Sequence, residues 1–260
     1  MNMPAQRRST LFLLTVLASA TLLAAAAENL SEPAGSWRFG ATIYAYLPSI
    51  GGTTTFPDGG SGSGIDADTI LDNLEMTFMG SFDAHNGRWG MFTDVLYLDL
   101  AADKARNSIQ GNPVDLSLGF SGWIWTLAGE YRLAASPTLT LDALAGARYY
   151  DVETEMGLDF AQDALPSFEA NASDSVWDGI VGVKGRFAFG DRQQWLLPFY
   201  ADVGAGESDL TWQVAAGVGH AFNWGEINAL WRYIGYEFDS GSRVQDVNFN
   251  GPMIGATFRW

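Results

Sequence analysis

Apolar and polar side chains alternate with a period of two along most of the chain after residue 35. The clearest run starts at Trp177. One parity carries Trp177, Gly179, Val181, Val183, Gly185, Phe187 and Phe189, with no polar side chain. The other carries Asp178, Ile180, Gly182, Lys184, Arg186 and Ala188. Successive side chains of a strand point to opposite faces, so this pattern is a strand with one apolar and one polar side. The whole chain read this way predicts ten strands, at 36–48, 72–85, 88–101, 114–133, 138–152, 176–189, 195–206, 210–222, 226–238 and 246–260. Eight and twelve strands are the alternatives. In the fourth, the apolar parity slips between Phe120 and Trp123, which predicts a bulge there.

The predicted connections differ in length by side. Short turns fall at Asn86-Gly87, 134–137, 190–194 and 223–225. Asn-Gly is the strongest two-residue hairpin signal. Longer loops fall at 49–71, 102–113, 153–175 and 239–245, with one tight turn at 207–209. An even strand number with short turns at one end and long loops at the other is the layout of an up-and-down transmembrane β-barrel. A soluble sandwich would also alternate, but it would place its aromatics centrally. Here Trp37, Trp89, Tyr131, Phe189, Trp195, Phe222 and Trp260 mark the turn end, and Tyr97, Tyr149, Trp177 and Trp212 the loop end. Rings at both ends read as two interfacial belts. Pro198 and Pro252 run against closure, since each removes a donor from a ladder.

The N-terminus supports export. Arg7 and Arg8 precede an apolar stretch from Leu11 to Ala26 that ends in Ala25-Ala26-Ala27. Residues 1–27 therefore read as a signal peptide cleaved near Ala27. Residues 28–35 read as a short periplasmic segment and 36–260 as the barrel domain.

Composition then restricts the chemistry. The chain has no Cys and two His, which leaves no thiolate chemistry and little scope for imidazole metal sites. Its formal charge is −16, with 14 basic against 30 acidic residues, so nucleic acid is not an expected partner. The polar parity holds Asp94, Arg148, Asp178, Lys184, Arg186, Asp202 and Arg232, which are expected to pair as a structural charge network in a narrow lumen. A barrel of ten strands encloses little space beyond its side chains, so the lumen is expected to be closed to solutes of sugar size. His85 abuts a turn and His220 lies on the apolar parity. Both read as interfacial, and no catalytic, cofactor or metal site is expected. The predicted loops are acidic, with Asp58, Asp66, Asp68, Glu153, Glu155, Asp159, Asp163, Glu169, Asp174, Glu237 and Asp239 on or beside them. They could hold divalent cations beside anionic lipopolysaccharide. Residues 58–64 read as a flexible stretch and 66–74 as one helical turn.

The closing Phe258-Arg259-Trp260, with apolar residues at every second position before it, resembles the C-terminal assembly signal of bacterial outer-membrane barrels. The runs Tyr44-Ala45-Tyr46-Leu47-Pro48, Gly87-Arg88-Trp89-Gly90, Asp94-Val95-Leu96-Tyr97, Gly146-Ala147-Arg148-Tyr149, Asp202-Val203-Gly204, Ser208-Asp209-Leu210-Thr211-Trp212 and Trp231-Arg232-Tyr233 resemble those of a proteobacterial outer-membrane β-barrel family. That family is similar in style to the outer membrane protein A and opacity-type barrels. The resemblance implies an outer-membrane location in lipid and lipopolysaccharide. It also implies delivery by the barrel-assembly machinery, with Phe258 and Trp260 read as the signal. It brings no established activity. The functional expectation is a structural or surface-interaction barrel without catalysis. The alternatives are a narrow channel for ions or small solutes, a soluble exported β protein and an outer-membrane lipid-modifying enzyme.

Overall fold

The computed structural model describes residues 36–54, 74–109, 112–160, 168–239 and 244–260. The leader, the stretch 58–64 and the helical turn at 66–74 expected from the sequence lie outside these residues, apart from Leu74, as do Asp58, Asp66, Asp68 and Asp163. Eleven strands follow one another: β1 (Arg38–Tyr46), β2 (Ser49–Thr54), β3 (Leu74–Asn86), β4 (Trp89–Ile109), β5 (Asn112–Ala135), β6 (Leu139–Phe160), β7 (Phe168–Phe189), β8 (Trp195–Gly206), β9 (Leu210–Phe222), β10 (Gly225–Glu237) and β11 (Val244–Arg259). β3 to β11 pair antiparallel in chain order, and β1 pairs with β3 on one side and with β11 on the other to close the sheet. β1 and β2 both lie along β11 and act as two halves of one stave. The result is a closed barrel of ten staves. Closure removes the open edges that lipid cannot satisfy.

The two prolines sit where the ladder is already interrupted. The first stave breaks at Leu47-Pro48, opposite Pro252, and Leu47 N donates to Pro252 O at 3.0 Å. Gly251 packs so closely on this break that a Cβ there would meet Pro48 Cα at 2.8 Å. Along β8, the pairing to β9 skips Leu197 and Pro198 and resumes in the same register at Phe199.

Three local expectations are corrected. The bulge expected at 120–123 is absent, because the β4–β5 and β5–β6 registers run unbroken there. The irregularities lie instead at Ala102/Ala105 and Arg132/Ala134. The first hairpin turns on Gly87-Arg88 rather than Asn86-Gly87. Asn86 pairs with Trp89, and Gly87, with φ of 68°, takes the first central position, where a type II′ turn requires glycine. The expected loops 102–113 and 153–175 are mostly strand. β4 to β7 run to 21, 24, 22 and 22 residues, against 12 or 13 in β8 to β10. Past the lipid neither face of a hairpin must be apolar, so the alternation stops while the hydrogen-bonded ladder continues.

Burial inverts the rule of soluble proteins. Ile43 is 69% exposed and Trp89 66%, whereas Arg148 is 0% and Arg232 2% exposed. Apolar side chains on this scale facing water would cost about 25 cal/mol per Å² and would aggregate. Facing acyl chains, they cost nothing. The outer face is therefore a lipid-facing surface, with aromatics at both ends. At the turn end His220 stacks edge-on to Trp195, and Phe222, Trp224 and Phe258 follow in contact. Towards the hairpin end Tyr97 packs on Trp123, Tyr149 on Trp177, and Trp212 on Tyr233.

Candidate functional site

The barrel interior is built in three layers. Nearest the hairpins it is apolar and full. Tyr46, Leu96, Ile124, Tyr150, Ile234, Tyr236 and Phe249 pack together there, with Met79 and Leu98. Tyr150 lies 4.7 Å from Tyr236, ring to ring.

The middle layer carries two arginines tied across the lumen. Arg232 on β10 meets Asp94 on β4 at 2.5 Å, and donates to Tyr44 OH at 3.0 Å and Gln213 Oε1 at 3.1 Å. The Tyr44 hydroxyl donates in turn to the other Asp94 oxygen at 2.8 Å. Arg148 on β6 pairs with Asp202 on β8, and donates to Thr126 Oγ1 at 3.2 Å and Thr211 Oγ1 at 3.3 Å. Neither pair joins neighbouring strands: Arg148–Asp202 spans β7, and Arg232–Asp94 joins strands four staves apart across the bore. Their extra hydrogen bonds matter, because a buried ion left half-satisfied is costly. Asp178 has a different task. It accepts from Ser208 N at 3.0 Å and Ser208 Oγ at 2.7 Å, which satisfies the tight β8–β9 turn.

Nearest the short turns the interior opens into a chamber of about 530 Å³. Two ion pairs line its inner wall. Lys184 meets Glu130 Oε1 at 2.6 Å and lies 4.2 Å from the Phe92 ring centre. Arg132 meets Asp142 at 2.5 Å. His85 stands beside both carboxylates, 3.3 Å from Asp142 and 3.8 Å from Glu130, without hydrogen-bond geometry to either. At the opening, Arg186 reaches across to Glu226 at 3.2 Å, Arg259 pairs with the other Glu226 oxygen, and Asp83 lies 4.0 Å from Arg259.

All seven charged residues read from the sequence as lumen groups thus face the interior. The structure divides them: Asp94 with Arg232, Arg148 with Asp202, Lys184 and Arg186 in the chamber, and Asp178 on a turn. The partners Glu130, Arg132, Asp142, Glu226 and Arg259 were not among the sequence candidates. The signal for them was present, since each shares its strand's inner parity: Glu130 with Thr126, Asp142 with Arg148, and Glu226 with Arg232. His85 is corrected from interfacial to buried inside the barrel, on the parity of Ser81 and Asp83. His220 lies in the outer aromatic girdle, as its parity implied. Phe258 and Trp260 face outwards, and Trp260 exchanges backbone hydrogen bonds with Phe39 at 2.9 and 3.1 Å, beside the closing seam.

His85, Glu130 and Asp142 present three possible metal-ligand atoms within 4.8 Å of one another. Both carboxylates, however, already neutralise Lys184 and Arg132. A divalent ion would have to displace two cations from a site whose charges balance, so the cluster reads as part of the charge network.

Fold and interior together define a closed, antiparallel, ten-stave β-barrel with a lipid-facing outer surface. No protein-family profile and no curated protein sequence matches the chain. Solved structures that resemble it are outer-membrane barrels. The outer membrane protease OmpT from Escherichia coli superposes with a TM-score of 0.47 at 8% identity, over 90% of this chain and 100% of that one. Ail, the attachment invasion locus protein of Yersinia pestis, gives 0.37 at 12% identity, over 86% and 98%. The translocator domain of autotransporter NalP from Neisseria meningitidis gives 0.37 at 16%, over 99% and 100%. At these identities and scores the likeness carries no argument about activity. The barrel assignment rests on strand closure and the apolar outer face.

Proposed function

We propose that this chain is an integral barrel of the bacterial outer membrane that does not conduct solutes, performs no catalysis and displays two long β-hairpins for interaction at the cell surface. The hairpins carry this reading. β4–β5 and β6–β7 continue well past the aromatic line Tyr97, Trp123, Tyr149 and Trp177. Their excess over the other staves is roughly 30 Å of extended chain. Strand beyond the belt contributes nothing to spanning lipid, so it serves what lies outside. The leader read from the sequence at residues 1–27 and the placement of both barrel ends on the short-turn side support an orientation with the hairpins outermost. The acidic rim there, including the exposed Glu153, Glu237 and Asp239, suits divalent cations shared with lipopolysaccharide.

The filled apolar layer and the cross-lumen pairs support a barrel closed to solutes rather than a channel. Neither histidine sits at the hairpin end, where surface chemistry would take place. Single cysteines test the orientation. One at Asn107 should label with an impermeant reagent on intact cells, and one at Ser136 should not. The reverse pattern would overturn the reading. Steady porin-like conductance of the refolded protein in planar bilayers would overturn the closed lumen. Trp260 tests the assembly reading. Its deletion should lower outer-membrane levels of the folded form far more than it lowers folding in detergent. Equal levels of full-length and truncated chain in the membrane would remove Phe258 and Trp260 as an assembly signal.

A further inference from the structure

The two long hairpins form one sheet that outgrows the barrel. Beyond the aromatic line, β4 pairs with β5, β5 with β6 and β6 with β7. The strands on either side stop short. β3 pairs with β4 only as far as Leu74 opposite Leu100, and β8 pairs with β7 only from Gly206 opposite Asp178. The β8–β9 turn at residues 207–209 is tight, and its backbone contact with β7 ends at Trp177. Among the described residues, 101–109 of β4 and 168–176 of β7 are therefore paired on one side only. Such an edge presents free N–H and C=O groups, a template for another strand. Lipid forbids an open edge, but water beyond the aromatic belt tolerates it.

Strand direction selects the partner. β4 runs away from the short turns and β7 runs back towards them. β5 and β6 lie between the two edges, so these cannot close on each other within one chain. Copies in one membrane share an orientation. Like edges of two copies would therefore meet parallel. The β7 edge of one copy meets the β4 edge of the next antiparallel, as every pair in the barrel does, and antiparallel pairing is the more stable. Charge selects the same way. Over residues 153–160 and 168–176, the β6–β7 half of the sheet carries Glu153, Glu155, Asp159, Glu169 and Asp174 and no cation, so two β7 edges would repel. Over residues 101–109 and 112–120, the β4–β5 half balances Lys104 and Arg106 against Asp103 and Asp115. Both of those cations stand on β4, the edge strand.

We propose that residues 168–176 of β7 pair with residues 101–109 of β4 in a second copy of this chain, so that the sheet beyond the membrane runs on from copy to copy. This pairing rests on the outward display of the hairpins proposed above, and it names their partner. Each molecule has one edge of each kind, so the contact is heterologous. It extends into a row or closes into a ring, and no symmetric dimer satisfies it. The joined edges are roughly 30 Å long.

The chain has no Cys, so Ala105→Cys on β4 and Ala172→Cys on β7 can report the contact in isolated outer membranes. With a short bismaleimide, either variant alone should give little dimer. The two coexpressed should give dimer, and the double variant should give a ladder of dimer, trimer and larger multiples. Lys104→Glu with Arg106→Glu should cut that ladder roughly tenfold, because like charges across a strand pair repel. Adding Glu169→Lys and Asp174→Lys should restore it. Heat-modifiable gel mobility checks that each variant folds, and the cysteine variants decide the matter even if the charge variants do not fold. Monomer alone from the double variant, single variants that cross-link as fully as the pair, or adducts that are not multiples of the chain would each overturn the pairing. Labelling the same cysteines on intact cells with an impermeant maleimide separates pairing from display. Labelling without a ladder overturns the pairing and leaves the display standing. A ladder without labelling supports the pairing and overturns the display.

Discussion

Inside the barrel, the half nearer the hairpins is filled by Tyr46, Ile234, Tyr236 and their neighbours, whereas the half nearer the short turns holds Lys184, Arg186, Glu226 and an open chamber. Both halves are made from the same inner parity of the same strands. Lipid dictates only that the outer parity be apolar. It leaves the inner parity free, and this protein uses that freedom differently at each end. One half is packed to exclude water and the other admits it. Between them lie Arg148 and Arg232, held by their ion pairs and by hydrogen bonds to Thr126, Thr211, Tyr44 and Gln213.

Mutations at different heights should separate the three layers. The largest effect is expected in the middle. Arg148→Ala leaves Asp202 buried without its cation and should destabilise the barrel by about 3–5 kcal/mol. Urea unfolding of the refolded protein, followed by gel mobility, would measure it. The double change Arg148→Met with Asp202→Leu should recover most of that loss, because an apolar pair of similar size carries no uncompensated charge. If the double variant is no better than the single one, the layer is held by the Thr126 and Thr211 hydrogen bonds rather than by charge.

A smaller effect is expected in the filled half. Ile234→Val removes one methylene from a fully buried position and should cost about 0.5–1.5 kcal/mol by the same unfolding measurement. No change would mean that the apolar layer is loosely packed. The smallest effect is expected at the mouth. Glu226→Gln leaves Arg186 and Arg259 free to turn towards water, so its cost should stay below about 1 kcal/mol. A cost equal to that of Arg148→Ala would show a sealed chamber and would erase the distinction between the two halves.

Much of this architecture was legible along the chain. Alternation at Trp177 to Phe189 assigned each side chain to lipid or lumen without any knowledge of its neighbours, because a strand in a barrel has only those two directions. The same logic placed ten staves and put Trp89, Trp195 and Trp260 at one rim. It failed at 102–113 and 153–175, where the hairpins leave the lipid and the ladder persists without any demand on side-chain polarity.

What parity cannot supply is height and opposition. Ile124, Thr126, Ala128 and Glu130 share one inner row, and nothing in that row says that Ile124 joins an apolar layer while Glu130 meets Lys184 in a chamber. The stagger of neighbouring strands decides it, residue by residue, through the register of their hydrogen bonds. Closure of β1 on β11 then brings β10 across from β4, so that Arg232 finds Asp94, 138 residues away. The sequence determined which side chains face inwards, because that depends on two-residue geometry alone. Only the closed barrel decided which of them meet, because that depends on the curvature and register of all ten staves at once.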